Sequence, residues 1–158
     1  MLTRRRLLSA SAATFLAPLA RPAFAEEEPF PIFASDTNAV PYRYRKQQVK
    51  YETEEVAGTI VINTGQRFLY LVQGGGQALR YGVGVGAQGF AWSGEAVIKR
   101  KAKWPRWTPT QEQLQRHKSW EKWAKGMEGG SDNPLGARAM YLYQGSQDTH
   151  FRIHGTTV

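Results

Sequence analysis

The sequence predicts a mainly β domain, β-rich α+β, of the sandwich or barrel type with one inserted helix, and three observations carry that prediction. From Gly58 onward, short runs of β-branched and aromatic residues alternate with turn residues. One stretch after Trp107 changes to helical spacing. Sixteen glycines in 158 residues supply the reversals between runs. This length allows one modest domain.

Residues 59–63, Thr-Ile-Val-Ile-Asn, read as the first strand, Asn63-Thr-Gly-Gln66 as a turn and residues 67–73 as the second strand. Gly74-Gly75-Gly76 permits a tight reversal, because glycine takes positive φ without steric cost. Residues 77–85 then complete an antiparallel meander. Residues 95–103 form a fourth strand with Val97 and Ala102 as inward candidates. Its basic residues Lys99, Arg100, Lys101 and Lys103, with Arg106, read as a solvated face or a guarded sheet edge.

Thr108-Pro109-Thr110-Gln111 combines an N-cap Thr108, a proline at the first helical position and a glutamine at the capping-box position, so a helix is expected to start there. Trp120, Trp123, Ala124 and Met127 follow at i, i+3, i+4 and i+7, one apolar stripe read as core packing, and Gly126 ends it. Residues 135–143 are strand-like, 144–148 turn, and 149–153 form a last strand running into His154-Gly155-Thr156. A chain ending on a strand edge reads as an incomplete domain.

The first 25 residues read as an export signal peptide: a basic start at Arg4-Arg5-Arg6, an apolar run over 7–20 and a small-x-small site at Ala23-Phe24-Ala25. The run is shorter than the roughly 20 residues of a membrane span, so no permanent anchor is expected. Thr3-Arg4-Arg5-Arg6-Leu7-Leu8 looks like a twin-arginine signal, with an ordinary Sec leader as the alternative; either places the protein in the periplasm. Residues 26–57, with Pro29, Pro31, Pro41 and no sustained period, read as an extended, solvated arm or linker, and residues 58–158 as the domain.

The net charge is +8, and losing Arg4, Arg5, Arg6 and Arg21 with the leader lowers it to +4. Loose association with anionic cell-wall material fits that charge and location; nucleic acid does not. The chain has no cysteine, which excludes disulfides, thiolate metal sites and a cysteine nucleophile within these residues.

Gly84-Val-Gly-Ala-Gln-Gly89 matches a dinucleotide fingerprint in spacing alone. That fingerprint needs a helix opening at the loop, whereas Phe90-Ala-Trp-Ser-Gly94 leads into another strand. His150 and His154 share a face by the strand period, but no cysteine or carboxylate at ligand spacing joins them, so no metal site is expected. His117 reads as a solvent-facing helix residue. His154 ends a strand beside a glycine and two threonines; from spacing alone it is either a general base or a hydrogen-bonded structural histidine.

Five motifs in order resemble the YkuD-type L,D-transpeptidases of Gram-negative bacteria: Gly82-Val-Gly-Val-Gly86, Phe90-Ala-Trp-Ser-Gly94, Trp104-Pro-Arg-Trp-Thr-Pro109, Asn133-Pro-Leu-Gly-Ala-Arg138 and Ile153-His-Gly-Thr156. The resemblance implies peptidoglycan cross-linking. A cysteine attacks a peptide-stem carbonyl before the terminal D-alanine, forms a thioester, and passes the acyl group to a diaminopimelate amine, without metal or organic cofactor.

It also implies that His154 is the base serving the cysteine and Gly155 its matching neighbour. Trp104 and Trp107 border the substrate groove, and Asn133 and Arg138 lie near the site as possible contacts. In the family a Ser-x-Gly-Cys-x-Arg element follows the histidine. It is absent here, so an inactive fragment or truncated domain is expected, with a non-catalytic periplasmic wall-binding domain as the alternative.

Overall fold

The computed structural model describes residues 27–32, 40–86 and 92–156. The expected leader therefore lies outside the described residues. Two antiparallel sheets organise the chain. The first contains β1 (Gln47–Lys50), β2 (Ile60–Asn63), β3 (Phe68–Gly74) and β4 (Gln77–Gly82), in the order β1-β4-β3-β2. The second contains β5 (Val97–Lys103), β6 (Arg138–Gln144) and β7 (Gln147–His154), in that order. Phe68, Leu69, Val72 and Ala78 are buried in the first sheet, and Ala139, Tyr141 and Leu142 in the second.

The meander of β2, β3 and β4 forms as the sequence predicts, with Leu71 facing Ile60 on one side and Leu79 on the other. The segment read as an arm is different. Residues 47–50 pair with β4, from Gln47 opposite Arg80 to Lys50 opposite Gln77. Gln-Gln-Val-Lys carries one apolar residue, so no alternating pattern marks it; it joins the sheet through backbone hydrogen bonds to an open edge. Just before it, Tyr42–Tyr44 form a 3-10 helix, and Tyr44 packs on Phe68 with ring centroids 5.5 Å apart. Gly82 makes that contact possible: a Cβ there would lie 2.7 Å from the Tyr44 carbonyl oxygen.

Between β5 and β6 the chain makes its helical excursion. The helix α1 (Gln111–Arg116) starts two residues later than expected, because Thr110 rather than Thr108 is the N-cap. Thr110 Oγ1 accepts from the Gln113 backbone N–H at 3.2 Å, and Gln113 Oε1 accepts from the Thr110 N–H at 2.9 Å. Both threonines have a glutamine three residues on, so the sequence offers the capping box twice and the fold uses the second.

The helix also ends early. His117 leaves helical geometry (φ −122°, ψ 82°), and Lys118–Trp123 continue as a 3-10 helix. The expected stripe survives in part: Trp120 and Trp123 pack edge-on against Trp107 at 5.1 and 6.0 Å. Met127 instead pairs with Trp107 through two backbone hydrogen bonds of 2.7 and 2.9 Å, closing the neck of the excursion.

Candidate active site

His154 is the last residue of β7, opposite Ala139 on β6. The next step of the ladder is held by the Gly155 N–H, which donates to the Arg138 carbonyl at 3.0 Å. The imidazole is exposed to solvent, with Nδ1 2.5 Å from the carbonyl oxygen of Gly155. A carbonyl only accepts, so in neutral imidazole Nδ1 carries the proton and the lone pair resides on Nε2. Held this way, the ring offers Nε2 to solvent as a proton acceptor.

What fixes that strand end is the Asn133-Pro-Leu-Gly136 turn. Asn133 is 0% exposed. Its amide nitrogen lies 2.9 Å from the Pro105 carbonyl, 3.0 Å from that of Glu128 and 3.3 Å from that of Met127. Its Oδ1 accepts from the Leu135 N–H at 2.9 Å. The side chain thus stitches the excursion's neck to the turn and presents no polar atom to a ligand.

Gly136, at φ +62°, follows in a conformation that suits glycine. A Cβ there would lie 2.9 Å from the Thr156 backbone nitrogen and 3.0 Å from the Gly155 carbonyl carbon. The turn lies directly against the backbone that follows His154.

The other residues singled out are placed differently. Trp107 is 7% exposed and is core for the excursion. Trp104 and Arg138 converge on Glu28, from the segment read as an arm: the Trp104 indole N–H donates to Glu28 Oε2 at 2.8 Å, and the Arg138 guanidinium pairs with both carboxylate oxygens. Arg138, with Trp104 after it, holds the Glu28 carboxyl below the usual carboxylate range. Phe30 completes the dock, edge-on to Trp104 at 4.9 Å. By strand alternation His154 shares a sheet face with Ala139, and Arg138 projects from the opposite face. Nothing in the Glu-Glu-Pro-Phe stretch signals such a dock, since an acidic tail residue finds its partner only in three dimensions.

His150 takes φ +62° within a register shift of β7, so it does not continue the regular alternation assumed for the His150 and His154 pair. Its N–H is held by Asp148 Oδ1 at 2.8 Å, and Asp148 is clamped by Arg152 through two bonds of 2.7 Å. His117 is exposed and stacks on Trp120 at 4.3 Å. Among the described residues no three His, Cys, Asp or Glu groups converge as a metal site, and no helix is long and apolar enough to cross a membrane. After β4 the described chain runs to Gly86 and resumes at Trp92 before β5 of an antiparallel sheet; the rest of the glycine run lies in residues 87–91, outside the description.

The fold and site define a β-rich domain that presents a carbonyl-held histidine at the end of a strand. Residues 57–158 match the L,D-transpeptidase catalytic domain, YkuD, and the chain belongs to that family. A protein of Fuscovulum blasticum named as an L,D-transpeptidase, ORF 5 of the ATP synthase subunits region, is 43% identical over 63 residues, 40% of this chain and 29% of its own length. The chain thus matches under a third of that relative. The crystal structure of a probable carnitine operon oxidoreductase from Brucella melitensis is similar at 46% identity and a TM-score of 0.66, covering 77% of this chain and 76% of its own.

Proposed function

We propose that this chain carries the histidine portion of a peptidoglycan L,D-transpeptidase. The observation behind this reading is His154, with Nδ1 held by its neighbour's carbonyl and Nε2 open, within a chain of the L,D-transpeptidase family. In this reading Nε2 takes the proton of a cysteine thiol. The thiolate adds to the stem carbonyl, the amide C–N bond breaks, and D-alanine leaves with that proton, giving a thioester. A diaminopimelate amine then attacks the thioester carbon, gives its proton to His154, and the thiolate departs as the new amide forms.

Within the same reading Asn133, Gly136 and Trp107 position the strand end. Gly155 supplies the carbonyl that orients the ring. Trp104 and Arg138, expected from the resemblance to border the groove, are engaged by Glu28 on the face away from His154, so they stand outside the site in this reading. The oxidoreductase name of the structural relative gains no support from the glycine run, which lacks a helix N-terminus among the described residues to receive a pyrophosphate.

These 158 residues contain no cysteine, so the nucleophile has to come from outside them and they alone do not turn over. The test is mass spectrometry of tetrapeptide-stem muropeptides, incubated with the 158-residue chain or with the product of the coding region read past Val158. Cross-links from the longer product only are expected. Transfer by the shorter chain, or no in-frame cysteine, overturns the reading. Export by residues 1–25 is part of the proposal: by the twin-arginine route Arg4→Lys with Arg5→Lys traps a fused reporter in the cytoplasm, by an ordinary Sec leader the reporter is still exported, and a reporter that the unchanged leader does not export removes the reading.

The absence of cysteine also favours a second reading, a non-catalytic periplasmic domain that binds the wall. Retention on purified peptidoglycan no greater than that of a charge-matched control removes it.

A further inference from the structure

Away from His154, at one end of the first sheet, lies an open cavity of about 550 Å³ lined by Arg43, Tyr44, Gly65, Gln66, Arg67, Phe68, Tyr70 and Arg80. Three of its lining residues are arginines and none of the eight carries a negative charge. We propose that this cavity is a binding site for a phosphate monoester, with Arg43, Arg67 and Arg80 on the phosphate and the aromatic residues against its organic part. The proposal does not rest on the transpeptidase reading.

Two observations show a site left incomplete by the protein itself. The Arg80 guanidinium is fixed: it lies 4.4 Å from the Phe68 ring centroid, and its Nη2 donates to the Arg43 carbonyl at 3.2 Å and to Gln47 Oε1 at 3.0 Å. Its Nε is buried with no acceptor. A charged donor left unpaired inside a protein is unfavourable, and it marks Arg80 as a group whose hydrogen bonding the protein leaves unfinished.

Arg67 supplies the second observation. It sits at φ +60°, where a non-glycine side chain is strained, and asparagine would fit that backbone better. Arg67 thus holds this backbone position as one of the residues that line the cavity. Arginine's planar fork suits the bidentate geometry of phosphate. A dianion answers three positive charges better than a single carboxylate does. The volume is that of a site for an organic ligand rather than a lone ion, and Tyr44, Phe68 and Tyr70 provide apolar wall.

The experiment is calorimetric titration of the whole 158-residue chain with glucose 1-phosphate, inorganic phosphate and acetate at constant ionic strength. Saturable binding is expected, tightest for glucose 1-phosphate and weakest for acetate. Arg67→Asn is expected to raise the melting temperature while weakening glucose 1-phosphate binding about tenfold or more, the loss of one charge-assisted contact. Arg80→Gln is expected to weaken it at least as much, and because Arg80 also braces the 3-10 helix, the Arg67 variant decides if that protein fails to fold. Non-saturating heats, equal affinity for acetate, binding of inorganic phosphate as an adventitious ion only, or an Arg67→Asn protein that binds unchanged each overturns the assignment.

Discussion

His154 directs Nδ1 at the carbonyl oxygen of Gly155, the residue bonded to it, at 2.5 Å. Because that oxygen can only accept, the contact selects one tautomer and leaves Nε2 as the proton acceptor. Nitrogen-15 NMR at a pH where the ring is neutral is expected to show His154 protonated at Nδ1. A signal pattern with the proton on Nε2 contradicts the arrangement and removes the free lone pair from solvent.

Asn133→Ala is expected to destabilise the fold by about 2–4 kcal/mol, because it strands the Leu135 N–H and the carbonyls of Pro105 and Glu128. Urea unfolding measures this. Asn133→Asp is expected to be at least as damaging, since a carboxylate would face those carbonyls instead of donating to them. A loss under 0.5 kcal/mol for the alanine variant would show that the amide is not the stitch.

The Glu28 carboxyl, lowered first by Arg138 and then by Trp104, makes docking of residues 27–32 acid-sensitive. A depressed folded value means the contribution is complete above the pH at which a free glutamate ionises, and is lost as pH falls through the folded value. The Trp104 indole N–H resonance is expected to move to its undocked position over that acidic window. In Glu28→Gln the transition should vanish; its persistence would assign the titration to another group.

Gly82→Ala places a Cβ within 2.9 Å of three Tyr44 atoms, two of them backbone. The 3-10 helix Tyr42–Tyr44 is expected to lift from the sheet. Limited trypsin digestion reads this directly, with cleavage after Arg43 or Arg45 at least tenfold faster than in the parent chain. Unchanged cleavage would mean that the helix is held by other contacts.

Gly136→Ala tests the link between turn and site. At φ +62° and 2.9 Å from the Thr156 nitrogen, an added methyl has to displace the backbone after His154. Shifted His154 and Gly155 resonances in an otherwise folded protein are expected; an unperturbed His154 would separate the turn from the histidine.

Elements with an alternating or turn-bounded pattern were legible in the sequence, as the meander from Ile60 to Gly82 shows. The polar strand at Gln47 was not, because its place depends on an edge offered by β4 rather than on its own periodicity. The capping box was legible as a motif and misplaced by one repeat, since Thr108 and Thr110 offer the same spacing. At the candidate site, the strand and the place of His154 at its end could be read locally. Asn133 could not be sorted between ligand and scaffold, because its three carbonyl partners come from segments up to 28 residues away. Glu28 lies 110 residues from Arg138, a distance no local pattern spans.

The pairing of Trp107 with Met127 has a kinetic consequence. β5 and β6 are neighbours in space but separated by the whole helical excursion, and the entropy of closing a long loop slows such strand pairs. The excursion's own contacts are short in sequence, and once Trp107 meets Met127 the remaining ends are already close. The excursion then behaves as a short connection. On that route the tryptophan cluster closes the neck, and β6, paired with β7 through the tight hairpin at Gln144–Gln147, is brought onto β5.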